Sequence, residues 1–186
     1  TVSTDQPDYA NGETVKVTAD AAYFFGGPVA GAAVQWRLLT DDYFFNPPDV
    51  EGWWDWIDYD LTEQRYYDAQ GEVVREGEGT LDADGKLTFE IPADLGEAPL
   101  SQVFTIDVEI TDINHQAVAG RTSAVVHKGN VYVGLRPARY VSGRGEPAAF
   151  DVLAVDPDGR PVPGQSVDLA FQQRTWYSVK EKRENG

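Results

Sequence analysis

The chain has 186 residues, with 15 Lys+Arg against 31 Asp+Glu for a formal net charge of −16, and it contains neither cysteine nor methionine. This balance excludes nucleic acid as a partner, because phosphate backbones are bound through Lys and Arg. Without cysteine, disulfides, thiolate metal sites, cysteine nucleophiles and internal thioesters are excluded within these residues. Hydrophobic residues at 41% suffice for a packed core. No apolar run approaches the roughly 20 residues of a membrane-spanning helix, so direct membrane insertion is not expected. The absence of methionine is what a processed or excised segment would show.

Taken in order, Thr1 to Tyr9 alternates weakly and meets Pro7, which predicts one short edge strand. Asn11-Gly12 signals a tight turn. Thr14 to Ala21 places Val15, Val17, Ala19 and Ala21 on one face, the period-2 pattern of a half-buried strand. Gly26-Gly27-Pro28 interrupts it, and alternation resumes from Ala33 to Leu39 with Val34, Trp36 and Leu38 on one side. Periodicity then dissolves over about residues 41–63, an aromatic-rich insertion. Short alternating runs follow at Gln64–Asp68, Val73–Gly79, Lys86–Ile91, Val103–Ile110 and Thr122–His127. Turn signals at Gly71, Asp84-Gly85, Pro92 and Asn114-His115 separate them. Nothing shows a helical apolar period, so the expectation is an all-β protein of antiparallel sandwiches.

Lys128-Gly129-Asn130 reads as a linker, and charge changes across it. Up to His127 there are 6 Lys+Arg against 24 Asp+Glu; from Lys128 onward there are 9 against 7. Beyond it, strands are expected at Val131–Leu135, Pro147–Val155, Gln165–Phe171 and Trp176–Val179. These repeat the first part at a fixed offset. Pro28, Val29, Gly31 and Val34 answer to Pro161, Val162, Gly164 and Val167, an offset of 133 (161 − 28) that also carries Gly12-Glu13 onto Gly145-Glu146. The expected domains are therefore 1–127 and 128–186, the second being the front half of a sandwich. Half a sandwich cannot cover both faces of its strands, so the second unit is expected to borrow cover from the first unit or from a neighbouring chain.

The turn Tyr23-Phe24-Phe25-Gly26-Gly27-Pro28-Val29-Ala30-Gly31-Ala32-Ala33-Val34, with its copy at Asp158-Gly159-Arg160-Pro161-Val162-Pro163-Gly164, resembles the macroglobulin-type domains of bacterial α2-macroglobulin-like proteins. The resemblance implies immunoglobulin- or fibronectin-like antiparallel β-sandwiches in tandem, without catalytic residues or cofactors. It further implies a scaffold role in a protease-trapping endopeptidase inhibitor of the periplasm or cell envelope. The implied partners are other domains of the same parent chain and, through the parent, proteases. The family's Cys-Gly-Glu-Gln thioester is not found in this sequence.

Within the turns, Gly26, Gly27 and Gly159 are expected to supply positive φ, Pro28 and Pro161 to fix φ, and Gly31 and Gly164 to permit a close bend. The sharpest local feature is Trp53, Trp54, Trp56 and Tyr59, interleaved with Asp55, Asp58 and Asp60. Aromatics beside carboxylates suit stacking on sugars or a protein hot spot, which makes a carbohydrate-binding or adhesion module the alternative function. They equally suit an insertion that folds its rings over an open sandwich edge. Asp82-Ala83-Asp84-Gly85 and Asp156-Pro157-Asp158-Gly159 fall short of a calcium loop and read as hairpin turns. The acid pairs Asp41-Asp42 and Asp58 with Asp60 are chance neighbours among 31 acids. His115 and His127 read as surface or linker residues, and Lys180–Gly186 as a frayed tail.

Overall fold

Period-2 alternation builds the molecule. The computed structural model describes residues 1–47, 49–57, 72–173, 175 and 177, and among these it is all-β. The strands are β1 (Val2–Thr4), β2 (Asp8–Ala10), β3 (Thr14–Asp20), β4 (Ala33–Asp42), β5 (Glu72–Thr80), β6 (Lys86–Pro92), β7 (Gln102–Thr111), β8 (Ala117–His127), β9 (Tyr132–Pro137) and β10 (Phe150–Val155). A three-stranded sheet β1-β3-β6 faces a five-stranded sheet β2-β8-β7-β4-β5, and β9 pairs with β10 in a separate ribbon. No helix of the described residues is long and apolar enough to cross a membrane.

The core lies between the two larger sheets. Val15, Val17 and Ala19 from β3 meet Val34 and Leu38 from β4, and Phe104, Ile106 and Val108 from β7. Trp36 closes one side: its ring stacks on Phe89 with centroids 4.8 Å apart and covers Gly77, where a Cβ would lie 2.5 Å from the indole. Glycine on β5 thus makes room for the largest side chain on β4.

The opening segment differs from the single edge strand expected. Pro7 breaks it into two edge strands belonging to opposite sheets, β1 on β3 and β2 on β8, and β2 runs parallel to β8. A proline lacks the N–H to continue a ladder, so the chain crosses between layers there. Asp5 secures the crossing: its Oδ1 accepts from Lys16 N at 3.2 Å and from the hydroxyl of buried Tyr9. That tyrosine hydrogen bond is the main reason the Asp5 carboxyl sits below the usual carboxylate range.

The second part also departs from expectation. Gln165–Phe171 forms no strand, because no strand among the described residues lies beside it as β5 and β7 lie beside β4. The strand expected at Gln64–Asp68 falls outside the described residues, as do the Lys180–Gly186 tail and, apart from Tyr177, the strand expected at Trp176–Val179.

The repeat is realised in backbone bonds. Val2↔Ala19, Ser3↔Thr18 and Thr4↔Val17 in β1–β3 become Leu135↔Val152, Arg136↔Asp151 and Pro137↔Phe150 in β9–β10, each shifted by 133. The Ala22↔Pro28 bridge recurs as Val155↔Pro161. The bond from Val29 N to Ala21 O (3.0 Å) recurs from Val162 N to Ala154 O (2.9 Å), and that from Asp5 N to Lys16 O (3.0 Å) recurs from Ala138 N to Ala149 O (2.9 Å). Glu13 Oε2 accepts from Ala10 N, as Glu146 Oε2 does from Gly143 N.

Among the described residues one turn geometry is used four times, beginning at Tyr23, Asp82, Asp112 and Asp156. In each, the fourth residue donates to the first carbonyl and the first residue donates to the fifth carbonyl. The fourth residue takes positive φ: Gly26 84°, Gly85 76°, Gly159 81° and His115 60°. The acids here are turn caps: Asp82 Oδ1 accepts from Asp84 N and Lys86 N, and Asp112 Oδ1 from Asn114 N and Gln116 N. Gly27, Gly31 and Gly164 also take positive φ.

A matched pair of substitutions tests this turn code by chemical denaturation. His115→Gly is expected to raise stability by about 0.5–1 kcal/mol, since a non-glycine residue is strained there. Gly85→Ala is expected to lower it by about 2–4 kcal/mol, because strain adds to a Cβ lying 2.5 Å from Ala21 O.

Candidate functional site

The insertion after β4 is where the two repeats meet. Beyond Asp42 the chain continues beside β7, with Tyr43 N donating to Ser101 O at 2.8 Å. It then turns away and lays Phe45, buried in the structure, flat on Tyr132 at the start of β9, with centroids 3.8 Å apart and planes within 5°. Trp56 meets the edge of Phe45 at 5.2 Å. Its ring also fills the space above Gly134, where a Cβ would come within 2.7 Å. Pro47 closes over the turn of the second repeat, 2.8 Å from where a Cβ on Gly159 would lie. Val155, fully buried, stands opposite Tyr132 in the β9–β10 ladder.

Backbone pairing fixes the register of this joint. Asp55 N donates to Leu135 O and Leu135 N donates to Asp55 O, both at 2.9 Å. Leu135 pairs with Val152 on the other side without exchanging ladder bonds there, so its polar groups point outward and Asp55 satisfies them. Arg136 stacks over Trp54 with its guanidinium carbon 4.4 Å from the ring centroid and is held from behind by Asp151 at 2.8 Å. Trp53 lies 6.0 Å from Tyr140 and stays half exposed.

The three tryptophans of the insertion, Trp53, Trp54 and Trp56, therefore all face the second repeat, and Tyr59 lies outside the described residues. Trp54 and Trp56 turn toward β9, and Trp53 presents the most open ring. The turn residues expected from the sequence sit on either side: Gly159 and Pro161 at the joint, and Gly26, Gly27 and Pro28 at the far end of the first sandwich.

A polar chain runs under the aromatic layer. Lys128 N donates to Ser101 Oγ at 3.0 Å, Ser101 Oγ lies 2.7 Å from the Tyr132 hydroxyl, and that hydroxyl lies 2.6 Å from His127 Nδ1. His127 Nε2 faces Asp8 Oδ1 at 3.4 Å. The tautomer protonated on Nε2 lets Ser101 donate to Tyr132 and Tyr132 donate to His127, so each link has one donor and one acceptor. Burial pushes the Tyr132 phenol up to about 12, which keeps it a neutral donor.

His127 thus corrects the surface or linker reading: it is buried and bound to Tyr132. Its neighbours in space come from β2 and β9, which local sequence does not bring together. The residue types echo a hydrolase triad, but a tyrosine separates serine from histidine and both are buried. Among the described residues, no group of three or more His, Asp or Glu side chains is placed to hold a metal ion.

Asp55 is the costly member. Its Oδ1, like His127 Nε2, is buried without a hydrogen-bond partner, and burial raises the Asp55 carboxyl above the usual range.

These features define a class: an all-β chain in which an aromatic insertion joins a two-sheet sandwich to a ribbon that repeats its β1–β3 pairing. No protein-family model matches the chain. The chain is similar to the α2-macroglobulin homologue of Nostoc sp., with 23% identity over 176 residues that make up 91% of this chain and 9% of that protein. Among solved structures, 87% of the chain superposes on 11% of a Salmonella α2-macroglobulin mutant, with a TM-score of 0.62 and 15% identity. Trypsin-activated α2-macroglobulin from Escherichia coli gives a TM-score of 0.61 over 86% of this chain and 12% of that one, also at 15% identity. The chain therefore spans a small part of the relatives it matches, and its fold is that of their β-sandwich domains.

Two outcomes follow for the joint. Tyr132→Phe leaves His127 Nδ1 and Ser101 Oγ short of a partner and is expected to cost about 1–3 kcal/mol in denaturant unfolding. For Asp55 the folded pKa lies above the unfolded one, so stability falls as pH rises through the folded value and the penalty is complete above it. Asp55→Asn should melt higher than the parent sequence at pH 7 and should lose that advantage as pH falls to the unfolded carboxyl range. Thermal melts read by tryptophan fluorescence at several pH values measure both.

Proposed function

We propose that the chain is a pair of consecutive, non-catalytic domains, 1–127 and 128–186, of an α2-macroglobulin-like protease-trapping inhibitor working in the periplasm or at the cell envelope. The observation that carries this reading is the likeness to the Nostoc α2-macroglobulin homologue over 91% of the chain. The mechanical contribution of these domains is positional. The first sandwich and the β9–β10 ribbon of the second unit, joined by edge pairing, stacked rings and a buried polar chain, move as a unit, so displacement of one is passed to the other rather than absorbed by Lys128-Gly129-Asn130. Other domains of the parent are the direct partners, and proteases are met through the parent.

The test uses the full parent protein incubated with trypsin or elastase. The reading expects loss of cleavage of a large protein substrate while cleavage of a small chromogenic peptide persists, as steric enclosure requires. Unchanged cleavage of the large substrate at excess parent protein would overturn it. Phe45→Ala in the parent, which empties the space over Tyr132, should weaken this protection without altering the peptide rate.

A further inference from the structure

The repeat copies more than turns, for it also copies the surface that receives the joint loop. On the second repeat that loop touches Gly134, Leu135, Arg136 and Gly159. Shifted back by 133, these are Thr1, Val2, Ser3 and Gly26, at the end of the first sandwich remote from its own joint. Their backbone is prepared in the same way. Thr1 and Asp20 exchange bonds, Asp20 N to Thr1 O at 2.9 Å and Thr1 N to Asp20 O at 2.6 Å. The next pair, Val2↔Ala19, is therefore the non-bonded one and turns the polar groups of Val2 outward, as those of Leu135 turn toward Asp55.

Gly26 shares the φ of Gly159, 84° against 81°. Pro47 covers Gly159, whereas nothing lies within 4 Å of where a Cβ on Gly26 would stand. A cavity of about 410 Å³ opens beside it, lined by Thr1, Val2, Tyr23, Phe24, Val118 and Gly120.

The side chains at this end are not needed for the turn they occupy. Asp82, Asp112 and Asp156 begin the other three turns of this geometry, while Tyr23 begins this one. Asp156-Pro157-Asp158 makes the same backbone bonds as Tyr23-Phe24-Phe25. Yet Phe24 is 107% and Phe25 85% exposed, the latter stacked on Tyr23 at 5.4 Å. Large apolar rings held in solvent beside a groove mark a contact surface.

We propose that this end of the first repeat receives the corresponding loop of another β-sandwich unit, with a proline over Gly26, aromatic rings over Thr1 and the Tyr23–Phe25 cluster, and an extended residue bonding both outward groups of Val2. A second copy of this chain is a poor occupant, because its own loop is already seated on its own second repeat. The occupant is another unit of the same parent chain whose loop reaches forward onto this one, as the loop of the first repeat reaches onto the second. The assignment rests on the repeat and stands apart from protease trapping.

The probe is a synthetic peptide of residues 43–57, titrated into the full isotope-labelled chain and followed by amide chemical shifts. Saturable shifts at Val2, Gly26 and Gly27 are expected. Phe24→Asp, at a side chain wholly in solvent, should keep the remaining spectrum and weaken binding at least about tenfold, as loss of an aromatic anchor does. A peptide carrying Pro47→Asp should bind as poorly. Absence of saturable shifts at those amides overturns the proposal. So do shifts confined to Leu135 and Gly159, which would mean that the peptide displaces the native loop. The same shifts on raising protein concentration without peptide would assign the face to self-association and overturn it equally.

Discussion

The outward edge of β9 has to be satisfied, and the way this is done holds the two repeats together. A strand edge that meets neither water nor a partner costs the full desolvation of its polar groups, and here the partner is one residue, Asp55, reached by a loop from the other sheet system. The two bonds it exchanges with Leu135 set where the loop lies, and its rings follow from that. Trp56 can cover position 134 because no side chain stands there, and Pro47 can close over position 159 for the same reason. Glycine in the second repeat thus serves as a socket, a role distinct from the positive φ it supplies in the turn.

Two kinds of interaction share the joint and do different work. The stack of Phe45 on Tyr132 supplies burial and dispersion, which tolerate small displacements. The chain through Ser101, Tyr132 and His127 is directional, and it loses a partnered group if the repeats slide. Asp55 works against both, since its backbone builds the joint while its buried carboxylate destabilises it.

The aromatic rings of the first repeat separate local from long-range roles. Trp36 lies over Gly77 and belongs to the core, while Phe24 and Phe25 lie in a turn that forms equally well without them. The 133-residue offset makes the distinction visible, because residues shared by both copies serve the backbone and residues present in one copy serve contacts of that copy alone.

Much of the framework was legible in the chain itself. Alternation located β3, β6 and β7 to within a residue or two, Asp-Gly and Gly-Gly-Pro marked the turns, and the offset was visible in the turn residues, because each depends on residues near in sequence or on a pattern repeated within it. What the Trp53–Trp56 loop covers was not legible, nor the burial of His127, the division of the first strand between two sheets, or the lack of a strand at 165–171. Those outcomes depend on which distant backbone edge and which glycine stand opposite, and a strand or a buried histidine exists only once its partner is in place. The sequence by itself determined the turns, the strand faces and the repeat through short-range sterics and periodicity, and the tertiary structure alone decided that the aromatic insertion is a joint, because edge pairing and ring burial are properties of two segments at once.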